Sequence, residues 1–139
     1  RDVGYEIKAL SNLLRRRLWG PADHPQSMLT EIEGVLIGYL CHSQGREIYQ
    51  KDLERALCIR SSTASRLLKR LEDEGLVQRS MGVRDARMKR ITPTLRAQAP
   101  NQEAERRIAA TEATLTRGIS QEEIDQFLAI AEKLKQNLI

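Results

Sequence analysis

The chain has 139 residues, 23 Lys and Arg against 19 Asp and Glu, a net charge of +4 and only 4% aromatic residues. That length allows one domain with a real core, or a small domain with helical extensions, and the charged, aromatic-poor composition fits long exposed helices better than a β sandwich. The basic balance favours a polyanionic partner, and no stretch approaches the ~20 apolar residues that a membrane-spanning helix needs.

In chain order, the apolar spacing Val3, Ile7, Leu10, Leu14 and Leu18 predicts a first helix. Gly20-Pro21-Ala22-Asp23-His24-Pro25 is the clearest loop signal and separates it from the next. The second helix is expected to start at Thr30, which has capping-box spacing with Glu33. Ile32, Val35, Leu36, Tyr39 and Leu40 give it a broad apolar face, and Ser43-Gln44-Gly45 ends it. Arg46-Glu47-Ile48 is expected to add a short strand.

Tyr49 to Leu57 reads as a short helix, Cys58-Ile59-Arg60-Ser61 as a tight turn, and Ser62 to Glu74 as a second helix, the layout of a helix-turn-helix. In this second helix Ala64, Leu67, Leu68 and Leu71 form one stripe that faces a core, while Ser62, Ser65, Arg66 and Lys69 repeat on the opposite side. Hydroxyls and long cations suit phosphate oxygens and base edges, and the planar fork of Arg66 suits guanine best. Ser61 or Ser62 is expected to cap the helix start, where free amides favour a phosphate, and Gly75 to end it.

Leu76-Val77-Gln78-Arg79-Ser80 and Arg87-Met88-Lys89-Arg90-Ile91-Thr92 then read as two strands of a wing joined through Gly82. The third strand would pair with them. Residues 79–90 hold Arg79, Arg84, Arg87, Lys89 and Arg90 against the single acid Asp85. Solubility alone explains that density poorly. A cationic hairpin tip can lay an arginine into a narrow minor groove, and Arg87, then Arg84, are the candidates. The plainer reading of Arg66, Lys69 and Arg70 is a solvated face paired with Glu72, Asp73 and Glu74.

The run from Arg66 through Glu72-Asp73-Glu74-Gly75-Leu76-Val77-Gln78-Arg79, with Asp85-Ala86-Arg87, Ile91 and Thr94 beyond, resembles the MarR family of bacterial transcriptional regulators. The resemblance implies a mainly α fold with a small β wing, in which N- and C-terminal helices flank a winged helix-turn-helix. It also implies that Asp85 braces Arg87 for the minor groove, and that a homodimer sits on a pseudo-palindromic operator. Two positions depart from the family's pattern, since Pro93 and Ala97 stand where Leu and Gly are usual at the wing's exit. Thr94 is expected to cap the next helix, and Pro100 to fall inside that helix and kink it.

Near the C-terminus, Ser120 and Glu123 form a second capping-box pattern, and Ile124, Phe127, Leu128, Ala131, Leu134 and Leu138 form a stripe. The stripes at the two ends have no evident partner inside the winged region, so a second copy of the chain is the economical one. We therefore expect residues 1–28 and 95–139 to form a helical dimerisation region and 29–94 the DNA-binding domain.

No catalytic or metal constellation is present, and neither enzyme activity nor a cofactor is expected. His24 reads as a loop residue and His42 as a helix-end residue. Cys41, near a helix C-terminus, and Cys58, in the turn where a buried cysteine is common, are poor oxidant sensors by position. By family resemblance a small aromatic or anionic effector would bind where the dimer helices meet the winged domain, near Arg15, Arg16, Arg17, Trp19 and Tyr39.

The expected function is a cytoplasmic, homodimeric, sequence-specific binder of double-stranded DNA that represses transcription and is released by that effector. The expected DNA contacts are Arg60, Ser61, Ser62, Thr63, Ser65, Arg66 and Lys69 in the helix-turn-helix, with Arg84, Asp85, Arg87 and Lys89 in the wing. The competing readings are a winged helix used as a protein-interaction module and a non-specific architectural DNA binder.

Overall fold

Asp2 opens helix α1 (Val3–Trp19), its carboxylate accepting the Tyr5 N–H at 2.8 Å. The computed structural model describes residues 1–19, 29–43, 45–83 and 87–139. The expected loop around His24, the terminating Gln44, and Arg84, Asp85 and Ala86 of the wing lie outside the described residues.

Helix α2 (Glu31–His42) begins as expected, with Thr30 and Glu33 in a reciprocal capping box. Its inward face is displaced from the one read in the sequence: Glu33 and Gly34 are buried and Val35 is exposed. The burial of Glu33 follows from its second oxygen, which lies 3.3 Å from Arg70 Nε. His42 faces Glu105 of a later helix at 3.0 Å as well as ending its own.

Helix α3 (Gln50–Leu57) starts with the Tyr49 N–H held by Asp52 Oδ2 at 2.8 Å. It ends at Cys58 in the left-handed region, with φ of 54°. Cys58 is exposed, contrary to expectation, and its thiol donates back to Arg55 C=O of the same helix at 3.7 Å.

Helix α4 (Ser61–Asp73) buries Ala64, Leu67, Leu68 and Leu71, the stripe read from the sequence. Each fully buried leucine contributes roughly 1.5–3 kcal/mol of apolar burial. Arg60, rather than Ser61 or Ser62, occupies the N-cap position, and no side chain caps the helix. At the far end Gly75, with φ of 75°, allows Leu76 N–H to reach Leu71 C=O at 2.9 Å and Gly75 N–H to reach Glu72 C=O at 3.0 Å. This Schellman ending turns the chain straight into the wing.

The wing is an antiparallel pair, β1 (Val77–Met81) and β2 (Lys89–Pro93), with Arg79 opposite Ile91. Among the described residues the expected third strand is reduced to one backbone bond to the wing, Ile91 N–H to Ile48 C=O at 2.8 Å. It extends no further because Tyr49 already caps α3. Leu36, Ile37, Leu40, Ile48, Leu53, Leu68, Leu71, Val77 and Ile91 form a core between α2, α3, α4 and the wing.

A 3-10 turn (Leu95–Ala97) leads into α5 (Gln98–Leu115). The Thr94 hydroxyl does not cap this turn; it donates to Gly75 C=O at 2.6 Å and ties the wing's exit to the end of α4. Pro100 falls in the first turn of α5, where an N–H has no helical partner, so the expected kink has no cause. Helix α5 packs on α1 and α2. Helix α6 (Gln121–Leu138) opens with the expected box of Ser120 and Glu123 and buries none of its residues.

Candidate nucleic-acid interface

The outward face of α4 is built by the same periodicity that buries its leucines. Arg60, Ser61, Ser62, Ser65, Arg66 and Lys69 are all exposed and Thr63 is half-buried. Lys69 Nζ lies 3.9 Å from Asp73 Oδ2, a loose pair one helical turn away with both side chains mostly in solvent. Such a pair contributes about 0.3–0.5 kcal/mol and opens readily for another anion. Arg66 has no ion pair among the described residues.

The plainer reading, a face neutralised within its own helix, therefore holds only for Lys69. Arg70 turns from this face to Glu33 of α2, and Glu72 pairs with Arg79 of β1 at 3.4 Å. Those contacts orient α4 against its scaffold and leave Arg66 outward.

Beside this face stands the wing, where Arg87 and Lys89 are exposed and Arg79 and Arg90 half-buried. The bracing of Arg87 expected from Asp85 involves an undescribed residue. Between α3, the start of α4 and the wing strands lies a cleft of about 300 Å³. Lys51, Ser61, Arg79 and Lys89 line it, together with Glu54. Gln50 also faces it, and spans to α4 by donating to Ser65 Oγ at 2.9 Å and Ser61 C=O at 3.3 Å.

Sequence reading missed Gln50 and Lys51. Both sit on the first helix of the motif, and only the return of the wing strands brings Lys51 into register with Lys89. Their signal was a polar opening, Gln50-Lys51-Asp52, on an otherwise amphipathic helix.

The residues expected around an effector are dispersed. Arg15 lies 3.5 Å from Glu31, Arg17 reaches Thr114 Oγ1 at 3.5 Å, Arg16 is exposed, and Tyr39 accepts from Arg46 at 3.4 Å. Trp19 is inserted between elements, against Gly34 of α2 and with the Arg107 guanidinium 5.2 Å from its ring centre. Cys41 is half-buried, and that burial, aided by Glu105, pushes its thiol up from the ordinary range. Among the described residues no cluster of His, Cys, Asp and Glu could hold a metal ion, and no helix is long and apolar enough to cross a membrane.

A short helix, a sharp turn, an outward cationic helix and a two-stranded wing between long flanking helices define a winged helix-turn-helix protein. Residues 39–89 match the model of the MarR family. The chain is similar to the transcription regulator MarR from Oenococcus oeni PSU-1, with a TM-score of 0.86 at 28% identity over 97% of this chain and 99% of that one. It is similar to Staphylococcus aureus MepR in its DNA-binding conformation, with a TM-score of 0.88 at 26% identity over 100% of each. It also resembles the MepR–DNA complex, at 0.87 and 25% identity over 99% of this chain and 97% of that one. The match over residues 39–89 and the likeness along the whole chain to MarR, a transcription regulator, place it beside that family.

Proposed function

We propose that this chain is a sequence-specific regulator of transcription that binds double-stranded DNA as a homodimer. The observation that carries the reading is the outward face of α4, where Ser62, Ser65 and Arg66 stand exposed beside a cationic wing. Likeness to the MepR–DNA complex supports it.

In this reading α4 enters the major groove, with Arg66 on base edges and Arg60, Ser61, Ser62, Thr63, Ser65 and Lys69 on bases or phosphates. The wing reaches the adjacent minor groove, where Arg84, Arg87 and Lys89 meet the most negative potential and Asp85 braces Arg87. The strand between the two grooves crosses the cleft below the wing, and Lys51 adds a phosphate contact there. Residues 29–94 form this reading domain.

Residues 1–28 and 95–139 form the dimer region. Support comes from the exposed apolar side chains Val3, Ile7, Leu10, Phe127, Leu128 and Leu138, which α1 and α6 leave uncovered. A two-fold dimer places two recognition helices about one helical turn of DNA apart, hence a pseudo-palindromic site. We further propose that the chain represses transcription, and that a small aromatic anion between the dimer helices and the winged domain releases it by favouring a different helix spacing.

Selection of bound sequences from a random duplex library at near-physiological salt tests the reading. An enriched inverted repeat is the expected result. Strong, salt-sensitive binding without enrichment would make the chain an architectural binder. No binding at all would leave the winged helix as a protein-interaction module.

A further inference from the structure

Glu47 lies in the link between α2 and α3, away from the outward face of α4, yet it holds the wing. Its Oε1 accepts the backbone N–H of Val83, beyond the last residue of β1, at 2.7 Å. Its Oε2 accepts the phenol of Tyr49 at 2.6 Å. Tyr49 is buried and is the residue from which α3 starts. One residue along the same link, Ile48 C=O takes the N–H of Ile91 in β2 at 2.8 Å. Two adjacent residues thus grip both wing strands.

The two grips differ in leverage. Ile91 lies near the root of the wing, two residues before β2 ends, whereas Val83 lies past the outer end of β1. A two-stranded ribbon has little stiffness of its own. Beneath this one is a cleft of about 640 Å³, lined by Arg46, Glu47, Asp52, Val83 and Arg90, so among the described residues packed side chains do not back it there. Among the described residues the bond that limits its swing is the outer one, and it is charge-assisted.

We infer that Glu47 is a positioning residue that sets the angle of the wing against α3 and α4, so that the two groove contacts meet the duplex in one geometry. The consequence for DNA rests on the proposed function; the bracing itself does not. An unbraced wing still carries its cations, but each contact then has to order the ribbon as well, and its contribution to affinity falls.

The test uses the full chain and three substitutions. With E47A, exchange of the Val83 amide with deuterium is expected to accelerate about tenfold, as for loss of a hydrogen bond to a charged group. Y49F, which removes one tether of the carboxylate, is expected to give a smaller acceleration, and E47Q, which keeps an acceptor but loses its charge, an intermediate one. Affinity is then measured for a duplex enriched from the library, with R87A in the wild-type and E47A backgrounds. The penalty for R87A is expected to be several-fold smaller once Glu47 is gone, a coupling that general destabilisation does not produce. Unchanged Val83 exchange in E47A, or an undiminished R87A penalty, would overturn the inference. If the wild-type chain binds no duplex, the DNA reading falls, and the exchange measurement alone decides the brace.

Discussion

The indole of Trp19 lies so close across Gly34 that a Cβ built on the glycine would stand 2.3 Å from its Cη2 and 3.1 Å from its Cζ2. This contact seats the end of α1 on the start of α2. Ordinarily Gly to Ala inside a helix gains up to about 1 kcal/mol from backbone propensity. Here the added methyl must push a ring aside, and overpacking of this kind costs about 1–3 kcal/mol. We predict that G34A is net destabilised in urea unfolding. The emission of Trp19, the one tryptophan in the chain, is expected to shift as the ring moves. A G34A protein as stable as wild type with unchanged emission would remove the contact from any structural role.

A second prediction concerns Glu33, which is 1% exposed and shares its oxygens between Thr30 N–H at 2.9 Å and Arg70 Nε at 3.3 Å. Removing the cation strands a buried carboxylate. Because Arg70 is itself half in solvent, R70M is expected to cost about 1–3 kcal/mol, less than the loss from a fully buried pair. In a cycle with E33Q the two substitutions are expected to couple by more than about 0.5 kcal/mol. Strict additivity would mean that the pair contributes nothing.

These two contacts mark the limit of what the sequence shows. The stripe Ala64, Leu67, Leu68 and Leu71, the box at Thr30 and the stop at Gly75 were legible because each is set within one or two helical turns. Glu33 was not, since its spacing to Thr30 describes a cap equally well in solvent or in a core, and the deciding partner is Arg70, on another helix. Pro100 was misread for a related reason: its effect depends on where α5 begins, and the 3-10 turn before it moves that start. Of the interface, the α4 face was visible as a periodic pattern. Lys51 was hidden because only tertiary folding places α3 opposite β2.

The two cysteines are expected to differ in reactivity. Burial is the main cause of the raised Cys41 pKa and the nearby Glu105 carboxylate adds to it, so the thiolate is scarce at neutral pH. Cys58 is exposed. Iodoacetamide at neutral pH is expected to alkylate Cys58 first, with Cys41 following as the solution is made alkaline. The raised value also has a sign for stability. The folded state holds the Cys41 proton more tightly than the unfolded chain, so this contribution is full below the ordinary thiol pKa and is lost as pH rises through the folded one. Faster alkylation of Cys41 than Cys58, located by mass spectrometry, would contradict both statements.

Lys51 provides a direct check on the cleft. If it meets a phosphate between the two grooves, K51A weakens binding to all duplexes alike and lowers the slope of log affinity against log salt by about one. Base preference is expected to stay as it is. R66A, by contrast, is expected to change preference at one base pair by about 1–3 kcal/mol. A K51A protein with an unaltered salt slope would take Lys51, and with it the cleft, out of the interface.

The proposed dimer makes the strongest demand on the flanking helices. Val3 is 57% exposed, Ile7 51%, Phe127 62% and Leu128 58%, and side chains of this size are not left in water along two helices without cost. In a two-fold assembly the same patch meets itself, so one substitution acts on both sides of the interface at once. We predict that F127K shifts the chain to monomer in sedimentation velocity at micromolar concentration while helix content is retained. The winged region keeps its own core of Leu36, Leu53, Leu68 and Ile91, so each monomer still presents α4. Binding then loses the linkage between half-sites, and affinity for an inverted repeat is expected to fall by about 10²-fold or more, to that of a single half-site. A monomeric F127K that still binds the repeat as tightly as wild type would show that one winged domain suffices for recognition, and a dimeric F127K would place the interface elsewhere.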